Sequence, residues 1–292
     1  MEDLAAVYNQ TRIDYLVPMP MSAARLGEYI HVYDVDLSAS CVLLDNAGLF
    51  GLGMLGVRPG RGWITRLGVV PERRQAGAGR AMMEFLLEAA AARGLETIWL
   101  EVIKGNVPAY NLFQRHDFHE TRELLVVRRS PIFRGSPAAV AQSIRAIDPL
   151  SRVEALSLLA QRQERPNWLN ETESMRNARQ LEALMVQCHD GGYGWASFDV
   201  GKFQLSRIVV DVIQGDPVTV TAAILQAIHQ HYPRKDTVIE NIAADDPKWP
   251  GFQQIGYFDS FRRIEMVREE GRRQKAADKR SVPLEKLNFL SD

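Results

Sequence analysis

Residues 73–85 read Arg-Arg-Gln-Ala-Gly-Ala-Gly-Arg-Ala-Met-Met-Glu-Phe, two glycines and a pair of arginines just ahead of a helical run. The chemistry such a stretch can do is anion binding. A strand ends near Val70, Pro71 turns the chain, and Gly77 and Gly79 carry no Cβ, so backbone can approach a ligand closely. The helix that follows presents unsatisfied N–H groups and the positive end of its dipole. Together these features suit a pyrophosphate, with Arg74 and Arg80 adding charge at the rim.

Several phosphate loops share this outline. A P-loop needs Lys-Ser/Thr after its last glycine, and Arg80-Ala81 follows here. A dinucleotide loop needs a third glycine, which Gly77-Ala78-Gly79 lacks. The spacing Val69-x-Pro71-Glu72-x-Arg74-x-x-Gly77-x-Gly79 resembles the acetyl-CoA signature of the GNAT family of N-acetyltransferases. A second stretch agrees with it: Leu100-Glu101-Val102, then Asn106, Ala109, Leu112, Phe113 and Phe118, resembles that family's L-E-V, N-x-x-A-x-x-L-Y and G-F segment. The resemblance covers roughly residues 12–129.

The resemblance implies acetyl transfer from acetyl-CoA, a cosubstrate, to a primary amine by direct attack in a ternary complex. It assigns the pyrophosphate to Arg74, Gln75, Ala76, Gly77, Ala78, Gly79 and Arg80, and the pantetheine arm to the backbone of Leu67, Gly68 and Val69. Asn106, Ala109 and Phe113 would complete the cofactor site. An amine needs a base to shed its proton, and the departing thiolate can use an acid. The family's usual acid, a tyrosine, is replaced by Phe113, which cannot donate; Tyr110 lies three residues earlier and could substitute, or merely pack beside the cofactor. The glutamate that many relatives place on the strand before the loop is replaced by Thr65-Arg66. Glu101 matches the carboxylate that serves as base in the branch acting on protein N-termini, and is the candidate base. Its structural alternative is an ion pair with Arg66 on the adjacent strand, an arrangement that would recur as Arg207 with Glu240.

The elements needed to position these residues read as mixed α/β. Residues 13–17 are expected as a strand and 22–35 as a helix capped by Ser22. Two strands surround a turn at residues 45–48, and a turn at 59–62 leads into another. The helix after the glycines should run to Arg93, stop at Gly94, and bury Met82, Phe85, Leu86 and Ala89. A strand around Glu101, a short helix at 107–116 and a strand at 122–129 complete the half. The second half repeats this order. Arg66 corresponds to Arg207, Glu101 to Glu240, and Phe113-Gln114 to Phe252-Gln253, with residue offsets of 141, 139 and 139. The chain therefore reads as a tandem duplication of one α/β unit. The expected fold class is two tandem GNAT-like units, each a mostly antiparallel sheet with a splayed parallel pair flanked by helices. The expected boundaries are residues 1–130, a Pro/Gly/Ser-rich linker at 131–139, a degenerate unit at 140–269 and a charged tail at 270–292. At an offset of 141, Val218 and Val220 stand where Gly77 and Gly79 stood, so the second half is expected to have lost acetyl-CoA binding. It would complete the acceptor cleft or dock the first half by sheet pairing, and residues 165–178 with Trp168 read as cleft lining or as ordinary surface.

Composition narrows the partners. With 35 Lys and Arg against 36 Asp and Glu, no broad basic excess points to nucleic acid. Cys41 and Cys188 are isolated, the histidines are scattered, and neither a metal site nor a disulfide framework is expected. His229 and His231 are expected near a helix end, as cations meeting the dipole. The start lacks the pattern of a signal peptide and no apolar run suits a membrane span, so a cytoplasmic location is expected. The acceptor is expected to be a small molecule, since a second unit can wall off a cleft; a protein amine stays open. A chain that binds CoA without turnover, as a regulator or scaffold, is the competing function.

Overall fold

The computed structural model describes residues 1–74, 77–131 and 138–269. In the first half, helices α1 (Glu2–Gln10) and α2 (Ala23–Val32) precede strands β1 (Cys41–Asp45), β2 (Gly48–Arg58) and β3 (Arg61–Val69). Helix α3 (Ala78–Ala92), β4 (Thr97–Ile103), α4 (Val107–Arg115) and β5 (His119–Arg129) follow. The second half contains α5 (Ala138–Ser143), β6 (Ile144–Leu150), α6 (Arg152–Gln161), α7 (Thr172–Asn177), β7 (Glu182–Cys188) and β8 (Tyr193–Val200). It ends with β9 (Gln204–Gln214), α8 (Pro217–His231), β10 (Asp236–Ala243), α9 (Trp249–Gln254) and β11 (Phe258–Glu269).

All eleven strands join one sheet in the order β1-β2-β3-β4-β11-β5-β10-β9-β8-β7-β6. The last strand of each half is thus exchanged: β11 pairs with β4 of the first half, β5 pairs with β10 of the second, and the two pair antiparallel at the centre. The parallel pairs are brief. β3 meets β4 only from Arg61–Thr97 to Trp63–Trp99, and β9 meets β10 only at Gln204–Asp236 and Leu205–Thr237, after which each pair parts.

The duplication is visible in the backbone. Arg66 and Arg207 sit on equivalent strands at φ +53° and +50°, each at an irregularity in pairing with the preceding strand. Phe113 O and Phe252 O accept matching turn bonds from Phe118 N and Tyr257 N. Helices α3 and α8 are both fifteen residues long. Their starts, Ala78 and Pro217, differ by 139, so the valine alignment expected at 141 shifts by two: Gly77 stands opposite Asp216, and Gly79 opposite Val218.

Helices cover both faces of the first half. Met83 and Leu86 of α3 pack with Leu55, Ile64, Leu100, Val102, Phe113 and Phe118 on one face. Tyr8, Leu26, Tyr29 and Val32 from α1 and α2 pack with Trp63, Trp99 and Trp168 on the other. Several sequence expectations change. Residues 13–17 form no strand; Ile13 and Leu16 are exposed, and Asn9 of α1 fastens the segment through both amide bonds to Met21. Met83 replaces Phe85 in the buried stripe of α3, and Phe85 is exposed. Strand β6, missed because Pro149 interrupts it, is the sheet edge, where proline is tolerated. His229 is buried against the Tyr257 hydroxyl at 2.8 Å, and burial pushes its pKa down to about 3, so it is neutral rather than a dipole-paired cation. The charged tail from residue 270 lies outside the described residues.

Candidate active site

The glycine loop meets α3 as an uncapped helix start. Gly77 takes the N-cap position at φ +83°, a conformation that favours glycine, and no side chain caps the helix. The amides of Ala78, Gly79 and Arg80 in the first turn are therefore available to an anion. A Cβ built on Gly79 would meet only Leu112 Cδ2, at 3.4 Å, so the fold does not demand glycine there. These features fit a pyrophosphate. Gln75 and Ala76, expected in the same cradle, lie outside the described residues. In the second half the Asp216 carboxylate accepts from Thr219 N and Oγ1 at 2.8 and 2.7 Å, so a built-in anion caps α8.

The two rim arginines each pair with a carboxylate. Arg74 forms a fork on Asp14 at 2.7 and 2.8 Å and also donates to Val69 O and Thr11 O, each at 3.0 Å. Its charge is matched by Asp14, whose carboxyl it holds below the usual range, and its work is to tie the end of α1 to the loop. Arg80 pairs with Glu84 one turn along, on the exposed side of α3.

Leu67, Gly68 and Val69 line the first half's parted strand. Gly68 is required by close approach: a Cβ there would lie 2.7 Å from Thr11 Oγ1 and 3.0 Å from Arg12 Nη1. Arg12 Nη2 reaches Leu67 O at 3.4 Å. Asn106 caps α4 through Oδ1, which accepts from Ala109 N at 3.3 Å. Phe113 is buried beside Phe118, and Ala109 packs against the same cluster. Tyr110 donates to Glu120 Oε1 at 2.5 Å and accepts from Gln114 Nε2 at 2.9 Å; the Glu120 bond raises its pKa.

Glu101 stands on β4 where the strand has separated from β3. Its neighbours Leu100 and Val102 enter the α3 face, so alternation sends Glu101 to the α1–α2 face. There Trp63 Nε1 donates to Oε2 at 2.8 Å, and Asn241 Nδ2 lies 3.5 Å from Oε1. Burial lifts the carboxyl to about 7, with Arg263 and the Trp63 bond pulling the other way. The alternative role for Glu101, an ion pair with Arg66, is not found. Arg66 instead lies over the Tyr29 ring at 4.1 Å and donates to Tyr8 Oη at 3.2 Å. Nor does Arg207 pair with Glu240: it binds Asp199 and Glu28, while Glu240 binds Arg263 at 2.7 Å.

Trp168, expected either as cleft lining or as surface, is joined at the site by Arg58, Asn241 and Arg263, which no motif named. Trp168 comes from the second half, is buried, stacks on Trp63 at 5.9 Å, and donates to Tyr33 O at 2.9 Å. Within residues 165–178 the buried Trp168, Leu169, Ser174 and Met175 form an inner wall, while Arg165 and Arg176 remain exposed. Arg58 anchors the wall, donating to Glu171 Oε2 at 2.6 Å, Ser174 Oγ at 2.7 Å and Asp34 Oδ2 at 2.8 Å. Asn241 and Arg263 reach the same face from the exchanged strands and their neighbours. Among the described residues no group of His, Cys, Asp or Glu is arranged to hold a metal, and no helix is long and apolar enough to cross a membrane.

Comparison with known proteins agrees with this geometry. Residues 5–118 match the model of the acetyltransferase (GNAT) family. The [ribosomal protein bS18]-alanine N-acetyltransferase of Escherichia coli K12 is 33% identical over 79 residues, 27% of this chain and 43% of that protein. The mycothiol acetyltransferase of Clavibacter michiganensis is 35% identical over 82 residues, 28% of this chain and 27% of that protein. The matched segment therefore spans less than half the length of either relative. Two solved structures share the whole architecture. A GCN5-related N-acetyltransferase from Sphaerobacter thermophilus aligns with a TM-score of 0.66 at 15% identity, covering 91% of both chains. A tandem GNAT protein from the clavulanic acid biosynthesis pathway gives 0.61 at 16%, covering 91% of this chain and 94% of that one. The family match lies in the first half, and the fold of the chain is shared with solved GNAT structures, a tandem one among them.

Proposed function

We propose that the first half transfers the acetyl group of acetyl-CoA to a primary amine by direct attack in a ternary complex, and that the acceptor is a small molecule. The observation that carries this reading is Glu101: a carboxylate at the parting of β3 and β4, on the face opposite α3, with its pKa lifted to about 7. A base poised there can take a proton from an amine near neutral pH.

Acetyl-CoA, when bound, supplies the activated acyl group and a thiolate leaving group. The first-turn amides of α3 would hold its pyrophosphate, and the backbone of Leu67, Gly68 and Val69 with Asn106 would hold the pantetheine arm. Trp63 fixes the orientation of Glu101 by donating to Oε2, leaving Oε1 beside Asn241 to receive the amine proton. A thiol with a pKa near about 8.5 departs partly as the anion, so the demand for an acid is smaller than that for a base. Tyr110 is the side chain of α4 that could meet it, once its hydroxyl leaves Glu120. The small acceptor is favoured because α1, α2 and the Trp168 segment cover the face on which Glu101 lies.

On this reading the second half binds no acetyl-CoA of its own, because Asp216 already places a carboxylate at the start of α8. Its work is to supply β11, Asn241 and the Trp168 wall. Release of free thiol from acetyl-CoA in the presence of an amine panel tests the activity. Amine-dependent release supports the transferase; tight CoA binding without it would instead favour a regulator or scaffold.

A further inference from the structure

The two bulge arginines of the duplicated units differ in one respect. Arg207 has two carboxylates within ion-pair distance, Asp199 and Glu28. Arg66, at the same bulge with nearly the same φ, has none among the described residues. The cause lies in cross-strand pairing. Asp199 faces Ser206 across β8 and β9, and the corresponding place on β2, opposite Thr65, is held by Met54. Glu240 acts on Arg66 from longer range but is itself paired with Arg263.

A second cation stands beside Arg66. Arg12 stacks on the Tyr8 ring at 4.2 Å, and Arg66 lies 5.4 Å from the centre of the same ring. Arg12 donates to Thr11 Oγ1, Tyr8 O and Leu67 O, all uncharged acceptors. The Arg66 Nε is buried and makes no hydrogen bond. Two guanidiniums are therefore held close together on tyrosine faces, largely out of water, with only neutral direct hydrogen-bond partners among the described residues. Such a pair is costly unless an anion joins it. The guanidinium fork matches a carboxylate or phosphate. Tyr29 connects the pair to the candidate base, since it carries Arg66 on its ring and feels the Glu101 charge.

Resting on the transferase reading, we infer that Arg66, with Arg12, is a specificity-determining anion site, and that the acceptor is an amine bearing a carboxylate or phosphate group. The oxyanion binds the two guanidiniums while the amine lies toward Glu101. Arg207 shows what the same position looks like when the protein supplies its own anion.

The test uses the full chain, acetyl-CoA and matched amines: α-amino acids against their amides, and O-phosphoethanolamine against ethanolamine. The expected result is a preference of about tenfold or more in kcat/KM for at least one oxyanion-bearing member over its uncharged partner. Preference among amino acids identifies a carboxylate, and preference for O-phosphoethanolamine identifies a phosphate. Arg66→Gln should erase the preference by raising KM for the anionic amine, with KM for acetyl-CoA held within about twofold, and Arg66→Lys should restore part of it. Arg12→Gln provides a second variant should Arg66→Gln fold poorly. Equal use of charged and uncharged amines overturns the inference, as does an equal loss on both or an effect on acetyl-CoA alone; the transferase reading survives all three. If no amine releases thiol, that reading falls, and thermal shift with CoA present reads the anion site directly. Stabilisation by the anionic members that Arg66→Gln abolishes supports the site; no stabilisation refutes it.

Discussion

Glu101 owes its surroundings and proton affinity to neighbours that no local motif names. Trp63 donates to one oxygen, Asn241 lies near the other, and burial outweighs Arg263 in setting the proton affinity. A carboxyl lifted from 4.5 to about 7 binds its proton more tightly in the folded chain than in the unfolded one. Its contribution to stability is thus fullest below about 4.5 and is lost as pH rises through about 7. Glutamine cannot ionise, so the Tm of Glu101→Gln should gain on wild type between pH 5 and pH 8. Thermal unfolding across that range checks the sign, and parallel curves for the two proteins would remove Glu101 as the titrating group. The Arg66 bulge shows why an Arg66–Glu101 pair looked natural in the sequence yet does not form. A positive φ at a non-glycine residue redirects the side chain, and neither the residue type nor its neighbours announce it.

At the scale of elements, the start of α3 and the segment carrying Trp168 make separate demands. Gly79 is not needed for packing, because its Cβ would touch only Leu112. Gly79→Ala should leave unfolding free energy within about 0.5 kcal/mol of wild type. The same change should weaken acetyl-CoA by about tenfold in calorimetry, and unchanged affinity would displace the pyrophosphate from this turn. The Trp168 segment depends on Arg58, which is buried with Glu171 and also binds the half-buried Asp34. Arg58→Ala leaves the buried Glu171 carboxylate with Arg61 as its one remaining ion-pair partner among the described residues, and should cost about 3–5 kcal/mol in denaturant unfolding. A loss below about 1 kcal/mol would show that the wall is held by Trp168 stacking alone. The glycine-led start of α3 and the β4–α4 segment were legible in the sequence because their signals are local. The wall was legible only as one of two alternatives, since its contacts join residues more than a hundred positions apart.

For the whole molecule, duplication was readable from three repeated anchors, but the exchange of β5 and β11 was not. Apolar runs in both strands suit either neighbour, and only the sheet order reveals that each half completes the other. Expressed alone, residues 1–131 would leave the β4 edge without β11, an exposed edge prone to association. Each half should therefore be poorly folded by circular dichroism, and co-expression should recover a complex by gel filtration. Stable, monomeric halves would contradict the mutual dependence. That dependence also places the proposed chemistry at the seam, where Glu101 from one half meets Asn241 from the other. The most direct measurement is the pH dependence of amine-stimulated thiol release, wild type against Glu101→Gln. The account predicts a rate rising with pH through about 7 in wild type, and a loss of about a hundredfold or more in the variant with that rise abolished. A variant that keeps both the rate and its pH profile would contradict Glu101 as the base.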